Sequence, residues 1–499
     1  MLPQIILPQI SGGASTTGEM GINDVAELRK ALDAGYGTDV STLQGGAALR
    51  IQSLEKTMLA TIQENKHFRL FNEMAKTNAT ATVDEWTEQS NIGGFLGGST
   101  NTETGVIAAS QGAYNRRVGL VKYLMTRREV SFVASLQNAI VEAEAVEAQN
   151  GALQLLTDAE FLSFEGDSTV VPTEFDGIYA QQVNGVSTGS IDPDHILDAA
   201  GSNLASVNLV NKAAAIISAY GNFGTPTHIF MSQKVQADFD TGLDPAFRVP
   251  LANVPNGGIM LGAPVAGIRT SWGDIKTIPD VFIRDEAQQM PFEVSFPTVA
   301  AANVGFKPAS VVAAAPANNA SSGFTAAWAG NYYYYVTGVN SQGQSTGTVS
   351  AQVAIAAGQA VTLTITASAG GQETGYVIYR SRTNGGNSIS GLPVVTSDFR
   401  QMVRVAKAGA TTTYTDLNTD IPGTSKAFIL NMTPGSNAIT WRQMLPMLKF
   451  PLYPTVSATI PWAQLMFGYL RIGKRRHHVV VKNIVADSQS WRPNSLATS

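Results

Sequence analysis

The stretch FVASLQNAIVEAEAVEAQNGALQLLTDAEFLSF, residues 132–164, carries the longest helical pattern in the chain. Val133, Leu136, Ile140, Ala143 and Val146 recur at helical spacing, and Leu153, Leu156 and Leu162 continue it less regularly. About 30 residues of helix span on the order of 45 Å, a rod suited to crossing a flat subunit. Upstream, Ala79-Thr80-Ala81-Thr82-Val83-Asp84-Glu85-Trp86-Thr87-Glu88 reads as an exposed strand. It runs into Gly93-Gly94-Phe95-Leu96-Gly97-Gly98, and the chain returns through 114–126, where Val118, Leu120, Val121, Tyr123 and Leu124 favour a second strand. Two strands around a long glycine-rich tip bury little apolar surface between them. Such a hairpin needs a partner surface.

Further out, residues 1–44 are rich in Gly, Ser, Thr and Asp, an extended arm with one weak helical patch near 25–34, and residues 46–66 read as a helix. Downstream, 203–220 forms a helix (Leu204, Val207, Val210, Ile216, Ile217), followed by a β-like run from Thr227 to Met231. Alternating helices and strands to about 285 indicate an α/β or α+β domain. Between 306 and 425 helical periodicity vanishes. Strand-like runs at 332–339, 360–367, 375–380 and 411–414 alternate with turn signals such as Asn340-Ser341-Gln342-Gly343. That spacing predicts a small β-sandwich of immunoglobulin or fibronectin-III size. Mixed apolar structure resumes from 428 to 485, so the sandwich reads as an insertion into another domain.

A chain of 499 residues is too long for one core, so two or three domains are expected. Charged residues are 14% of the chain, against roughly 25% in ordinary soluble domains. Surface covered by neighbouring subunits lowers that share, and so does a bland Gly/Ser/Thr-rich β-protein surface. The net charge of −5 argues against tight, salt-sensitive nucleic-acid binding, though not against a wall that encloses DNA without gripping it. The absence of cysteine excludes disulfides, thiolate nucleophiles and cysteine-ligated zinc. The apolar start is interrupted by Pro3 and Pro8 and lacks a basic leader, and no stretch approaches a membrane span; a protein made in the cytoplasm is expected.

The order of these elements resembles the HK97-fold major capsid proteins of tailed phages, in which an N-terminal arm, a long hairpin (the E-loop), a spine helix, an axial domain and a return to the peripheral domain succeed one another. Phe164-Glu165-Gly166-Asp167 followed by Phe175-Asp176-Gly177-Ile178 is similar to the passage that ends the family's spine helix. Gly257-Gly258-Ile259-Met260-Leu261-Gly262-Ala263-Pro264-Val265 is similar to an axial-domain element, and His477-His478-Val479-Val480-Val481-Lys482-Asn483 to the last peripheral strand. The resemblance implies an α+β coat fold: arm and helix over 1–78, E-loop over 79–126, and peripheral domain with spine helix over 127–200. The axial domain would cover 201–305, an inserted all-β immunoglobulin-like sandwich on the outer surface 306–425, and the return 426–499. The arm is too short and uncharged for a built-in scaffold, so a separate scaffolding protein is expected. The hairpin tip (91–111) contains no lysine, so the family's Lys–Asn isopeptide cross-link is not carried over.

No constellation points to catalysis or to a cofactor. Gly185-Val186-Ser187-Thr188-Gly189 and Gly343-Gln344-Ser345-Thr346-Gly347 both fit G-x-S-x-G, yet neither lies between a buried strand and a helix. The Gly93–Gly98 cluster is not a phosphate-binding G-x-G-x-x-G. Of the five histidines, His67, His195 and His228 lack helical partners, and His477 and His478 point to opposite faces of a strand, so no metal site is expected. Lys474-Arg475-Arg476 is the most basic run; a DNA-facing patch competes with a solvated turn or salt bridges, and aromatic stacking residues are missing. Tyr332–Tyr335 alternate between sandwich core and surface, leaving two outward rings. The candidate assembly contacts are Gly93, Gly94, Phe95, Gly97 and Gly98 at the tip, Arg127 and Arg128, and Glu142, Glu144 and Glu147 on the long helix. The expected function is a shell of hexamers and pentamers around double-stranded DNA. Its partners would be a scaffolding protein, a portal, an optional decoration protein and weakly held DNA, with no membrane. An encapsulin-like nanocompartment and a secreted adhesin with a fibronectin-like module are the alternatives.

Overall fold

The computed structural model describes residues 64–107, 109–136, 143–204, 207–219, 221–242, 267–284, 305–387, 399–453 and 458–485. The arm, nearly all of the predicted 46–66 helix, Glu142 and the 257–265 element lie outside the described residues. A short helix α1 (Arg69–Glu73) and strand β1 (Ala75–Asn78) precede the hairpin strands β2 (Val83–Asn91) and β3 (Ala113–Leu120). Strand β4 (Lys122–Ser131) leads into α2 (Phe132–Leu136), then the long helix α3 (Ala143–Glu165) and α4 (Ile178–Ser187). Next come β5 (Ile196–Asp198), α5 (Val207–Ser218), β6 (His228–Met231), α6 (Gln233–Gly242), β7 (Gly267–Thr270) and β8 (Gly273–Pro279).

The predicted second hairpin strand divides in two. Strand β3 pairs antiparallel with β2, from Val83 opposite Leu120 to Gln89 opposite Tyr114. Val121 is buried and its N–H donates to Thr82 O at 2.9 Å, which pins the base of the hairpin. Beyond it β4 changes partner and joins a long sheet. The reason is burial: the hairpin strands have no core to share with the body, whereas α3 packs across the β4 side of that sheet.

Ten strands follow in the β-rich segment: β9 (Ser310–Ala313), β10 (Ala317–Asn318), β11 (Gly330–Tyr332), β12 (Tyr334–Asn340), β13 (Gly343–Val349), β14 (Val353–Ile355), β15 (Gln359–Thr366), β16 (Gly375–Ser381), β17 (Phe399–Ala406) and β18 (Thr411–Asp416). The last four, β19 (Ser425–Leu430), β20 (Ile439–Pro451), β21 (Thr459–Ile472) and β22 (Val479–Ile484), return to the body. A four-stranded sheet runs β1-β20-β21-β4, and a six-stranded sheet runs β5-β22-β19-β6-β8-β7. Alternation along the six-stranded sheet builds both of its cores. Phe230, Phe428 and Val480 join Phe164, Phe175 and Trp441 on one side. Ile229, Ile429, Val479 and Val481 meet Val210, Ala214, Ile217 and Phe239 of α5 and α6 on the other.

Within the β-rich segment, one sheet is ordered β13-β12-β16-β17, and β15 carries β9, β10 and β18 in another. Tyr334, Val336 and Ile378 of the first meet Val361, Leu363 and Ile365 of the second in one core. An ion pair lies inside it. Arg380 donates to Asp416 Oδ2 and Asn418 Oδ1, both at 2.6 Å, and its guanidinium stands 5.0 Å from the ring centres of Phe324 and Tyr332. Tyr334 completes the network by donating its O–H to Asp416 Oδ2 at 2.8 Å.

The tyrosine run corrects the sequence reading on one point. Tyr332 and Tyr334 do enter the core, but Tyr335 on the opposite face is buried too. Val170 and Val171, in the passage after α3, pack there against Tyr335, Val339, Val377, Tyr379 and Phe399. Gly375 permits the approach, since a Cβ there would stand 2.5 Å from Val170 Cγ1. Arg404 clamps the same passage through both guanidinium nitrogens to Glu174, at 2.8 and 3.0 Å.

Asp416→Ala leaves the Arg380 charge buried without its carboxylate and is expected to cost about 3–5 kcal/mol. Thermal unfolding should show a clear drop in Tm, with the Arg380→Met/Asp416→Leu double variant recovering much of it.

Candidate assembly interface

The hairpin tip between β2 and β3 is built by glycines. Gly93, Gly94 and Gly97 have φ of 85°, 76° and 81°, a region that side chains disfavour. At Gly93 the constraint is doubled, because a Cβ would stand 2.3 Å from Gln111 O. The Phe95 ring lies over Gly98, where a Cβ would meet Cε1 at 2.9 Å. What these turns present is apolar: Ile92, Phe95 and Leu96 are 86%, 81% and 79% exposed, and Val106 and Ile107 are 93% and 88% exposed. Clustered exposure of this kind marks an interaction surface. The sequence reading chose the glycines and Phe95; it passed over Ile92, Leu96, Val106 and Ile107 as contacts, although their apolar types in an otherwise polar tip were the available signal.

At its base the hairpin is latched to the body. Asp84 accepts two 2.8 Å bonds from Arg442 Nε and Nη2 and one of 2.5 Å from the Tyr469 hydroxyl. Burial works against the Asp84 charge, but these donors outweigh it and hold the carboxyl below its usual range. Tyr469 fits because position 119 is glycine; a Cβ there would stand 2.3 Å from the ring. Trp86 lies under the Arg471 guanidinium, and Arg117 pairs with Glu88 at 3.2 Å.

The residues proposed from the long helix pair within the chain. Arg128 reaches Glu147 at 3.2 Å and Gln154 at 2.7 Å, Arg127 reaches Glu129 at 2.8 Å, and Glu144 accepts from Lys449 at 2.6 Å. The basic run leads into a short 3-10 turn, Arg475–His477, half-buried against the far end of β2. Arg475 donates to Asn184 Oδ1 at 3.3 Å, and Arg476 to Ser90 O at 3.4 Å. Burial, and then Arg117, lower the pKa of Arg475. His477 belongs to this turn and not to the final strand. His478 is buried, accepts from Asn431 N–H at 3.3 Å, and is pushed down to about 3 by burial.

A second apolar surface escaped the sequence reading. The register sets Tyr123 opposite Phe467, Met125 opposite Leu465, Leu465 opposite Leu448, and Ala463 opposite Phe450. These residues share the face of the long sheet turned away from α3, and Tyr123, Met125, Leu448 and Phe450 are exposed there. The two G-x-S-x-G matches lie in ordinary secondary structure. Gly185–Gly189 straddles the C-terminal end of α4, and Gly343–Gly347 lies within β13, where the Ser345 hydroxyl accepts from Gly338 N–H. Among the described residues no group of three or more His, Asp or Glu could hold a metal ion, and no helix is long and apolar enough to cross a membrane.

Asp84→Ala removes the latch and leaves Arg442 half-buried without its carboxylate. Amide hydrogen exchange is expected to accelerate across 83–91 and 113–120 while the 359–381 strands keep their protection. The depressed Asp84 carboxyl gives the wild-type latch a pH sense: its contribution is present above the ordinary carboxylate range and is lost as pH falls below that range through the lowered folded-state value.

No family model matches the chain. A major capsid protein of Staphylococcus phage S25-3 is 24% identical over 475 residues, covering 92% of this chain and 95% of that protein. A putative major capsid protein of Enterococcus phage phiEF24C is 25% identical over 478 residues, covering 92% and 94%. Among solved structures, the capsid of a native GTA particle aligns with 90% of this chain and 100% of that one, at 9% identity and a TM-score of 0.45. A Mycobacterium phage Bobi chain aligns at 9% identity and 0.40, covering 89% and 98%, and the SrpI encapsulin complex of Synechococcus elongatus PCC 7942 at 8% and 0.41, covering 92% and 99%. Over 92% of its length, this chain is similar to proteins named as major capsid protein in a Staphylococcus phage and putative major capsid protein in an Enterococcus phage.

Proposed function

We propose that this chain is the structural subunit of a phage head, and that it works by self-assembly and not by catalysis. The observation that carries the reading is the pair of unpartnered apolar surfaces on one chain: the hairpin tip, and the outer face of the long sheet. A surface patch complementary to a different patch on the same chain makes a head-to-tail contact, and such contacts close into rings when the rotation allows. The tip of one subunit then lies across the sheet of the next, with Gly93, Gly94, Gly97 and Gly98 shaping the turns and Phe95 and Leu96 supplying the contact. Arg127, exposed beside Met125 on the receiving face, is the strongest of the charged candidates. Arg128, Glu144 and Glu147 act from the other side of the sheet, through intrachain pairs that hold the long helix against it, and Glu142 is retained as a contact.

Hexamers and pentamers, a separate scaffolding protein, a portal, an optional decoration protein and weak contact of the 474–476 run with packaged DNA complete the reading. It places the subunit in the virion after assembly in the host cytoplasm, with the 306–425 segment as an insertion. The nanocompartment alternative is not favoured, because the curated relatives are phage major capsid proteins.

The Phe95→Asp/Leu96→Asp double variant tests the reading, since both side chains are exposed and their loss should leave Tm within about 1 °C of wild type. Negative-stain microscopy of co-expressions with the neighbouring scaffold gene is expected to show closed shells for wild type and none for the variant. Closed shells from the variant would remove the tip from the assembly contact.

A further inference from the structure

Two carboxyl groups lie side by side, out of water, beneath α1. Glu160 of α3 is fully buried, and its Oε1 and Oε2 accept the Leu70 and Phe71 N–H groups at 2.6 and 2.7 Å. Those are first-turn donors of α1, which its capping residue Phe68 has no side-chain acceptor to satisfy. Glu160 is thus a cap supplied from another helix, and it fastens the segment entering the hairpin to α3. Asp280 follows β8 and is 1% exposed; its Oδ1 accepts the Phe282 N–H at 2.8 Å, and its own N–H donates to Met231 O at 2.8 Å. Phe282 in turn stacks on Phe68 at 5.3 Å and packs with Leu153.

One oxygen in this cluster has no donor. Among the described residues no N–H or O–H reaches the buried Asp280 Oδ2, and the Glu160 carboxyl is its neighbouring acid. Among the described residues neither carboxyl is in an ion pair; the facing charge is Arg69 of α1, which acts on Asp280 without a bond. Two adjacent anions buried without a cation would repel and would lack hydration, so one must stay neutral. A neutral carboxyl supplies the missing donor.

We propose that Glu160 and Asp280 share one proton between their facing oxygens, and that releasing it to solvent loosens the joint between α1, the long helix and β8. Burial, and then the Asp280 charge, raise Glu160 well above the usual carboxylate range, while burial raises Asp280 to about 6. The sign follows. Folded-state values above the unfolded ones give a contribution that is complete below the ordinary carboxylate range and is lost as pH rises through about 6 and beyond. The clasp therefore opposes the Asp84 latch in its pH sense: alkali weakens the joint before the hairpin, and acid weakens the hairpin base.

The test uses the full chain in an Asp158→Asn background, because burial and then Glu174 raise Asp158 to about 6 as well. Asp280→Asn keeps the shape, and its amide can donate to a charged Glu160. Tm is expected to fall between about pH 5 and about pH 8 in the Asp280 protein and to fall several degrees less in Asp280→Asn, with infrared spectra showing a protonated-carboxyl band near neutrality only in the former. Parallel Tm profiles with no such band would overturn the proposal. Should Asp280→Asn fail to fold, the infrared titration of the background protein decides: a carboxylic-acid band persisting above about pH 6 supports the shared proton, and its loss by about pH 5 refutes it.

Discussion

The structure depends on where β19 is inserted. After β8, which ends at Pro279, the chain leaves the six-stranded sheet until Ser425, and it returns through β19 into the slot between β6 and β22. Phe428 faces Phe230 across that pairing, and Val480 stands opposite Phe428 on the other side. Both cores of the body run through this strand. The β-rich segment must therefore leave and re-enter close together, which is what makes its two sheets compatible with an intact body. Val170, Val171 and Arg404 then fix one face of that segment against the end of α3, and the half-buried Lys426–Glu165 pair ties β19 to the same helix end.

Such a subunit spends its charge internally. Asp84, Glu144, Glu147, Glu165, Glu174 and Asp416 are all held by cations of the same chain. The exposed apolar residues that remain cluster on the hairpin tip and on the sheet face of β20, β21 and β4, the two surfaces proposed for association. A shell made this way gains from many modest contacts closed by symmetry, and each surface of this kind is inert until a second copy supplies its complement.

Much of this was legible in the sequence. The hairpin, the long helix, the 207–218 helix and the β-rich character of 306–425 all follow from periodicity and turn residues. The long β20–β21 ribbon did not, because Pro446, Pro451, Pro454 and Pro461 argue against strands. Register shifts between Gln443 and Leu448 set β20 out of regular pairing on either side of Pro446. The break at Val121 was hidden as well, since a strand that changes sheets keeps its β pattern throughout. At the candidate interface, glycine placement was readable, but the receiving sheet face required the register that sets Tyr123 and Met125 beside Leu465 and Leu448. The pairing of Arg128 with Glu147 was equally out of reach: both were expected as assembly contacts, and only the packing of α3 on β4 brings them together.

On the proposed function, the apolar tip and the apolar sheet face are two halves of one intersubunit contact. A cryo-EM reconstruction of particles assembled from this chain tests it most directly. The expected result is a closed shell in which density for Phe95 and Leu96 of each subunit rests against Tyr123, Met125, Leu448 and Phe450 of another. A closed shell with the tips free in solvent, or a preparation that yields small oligomers alone, would contradict it.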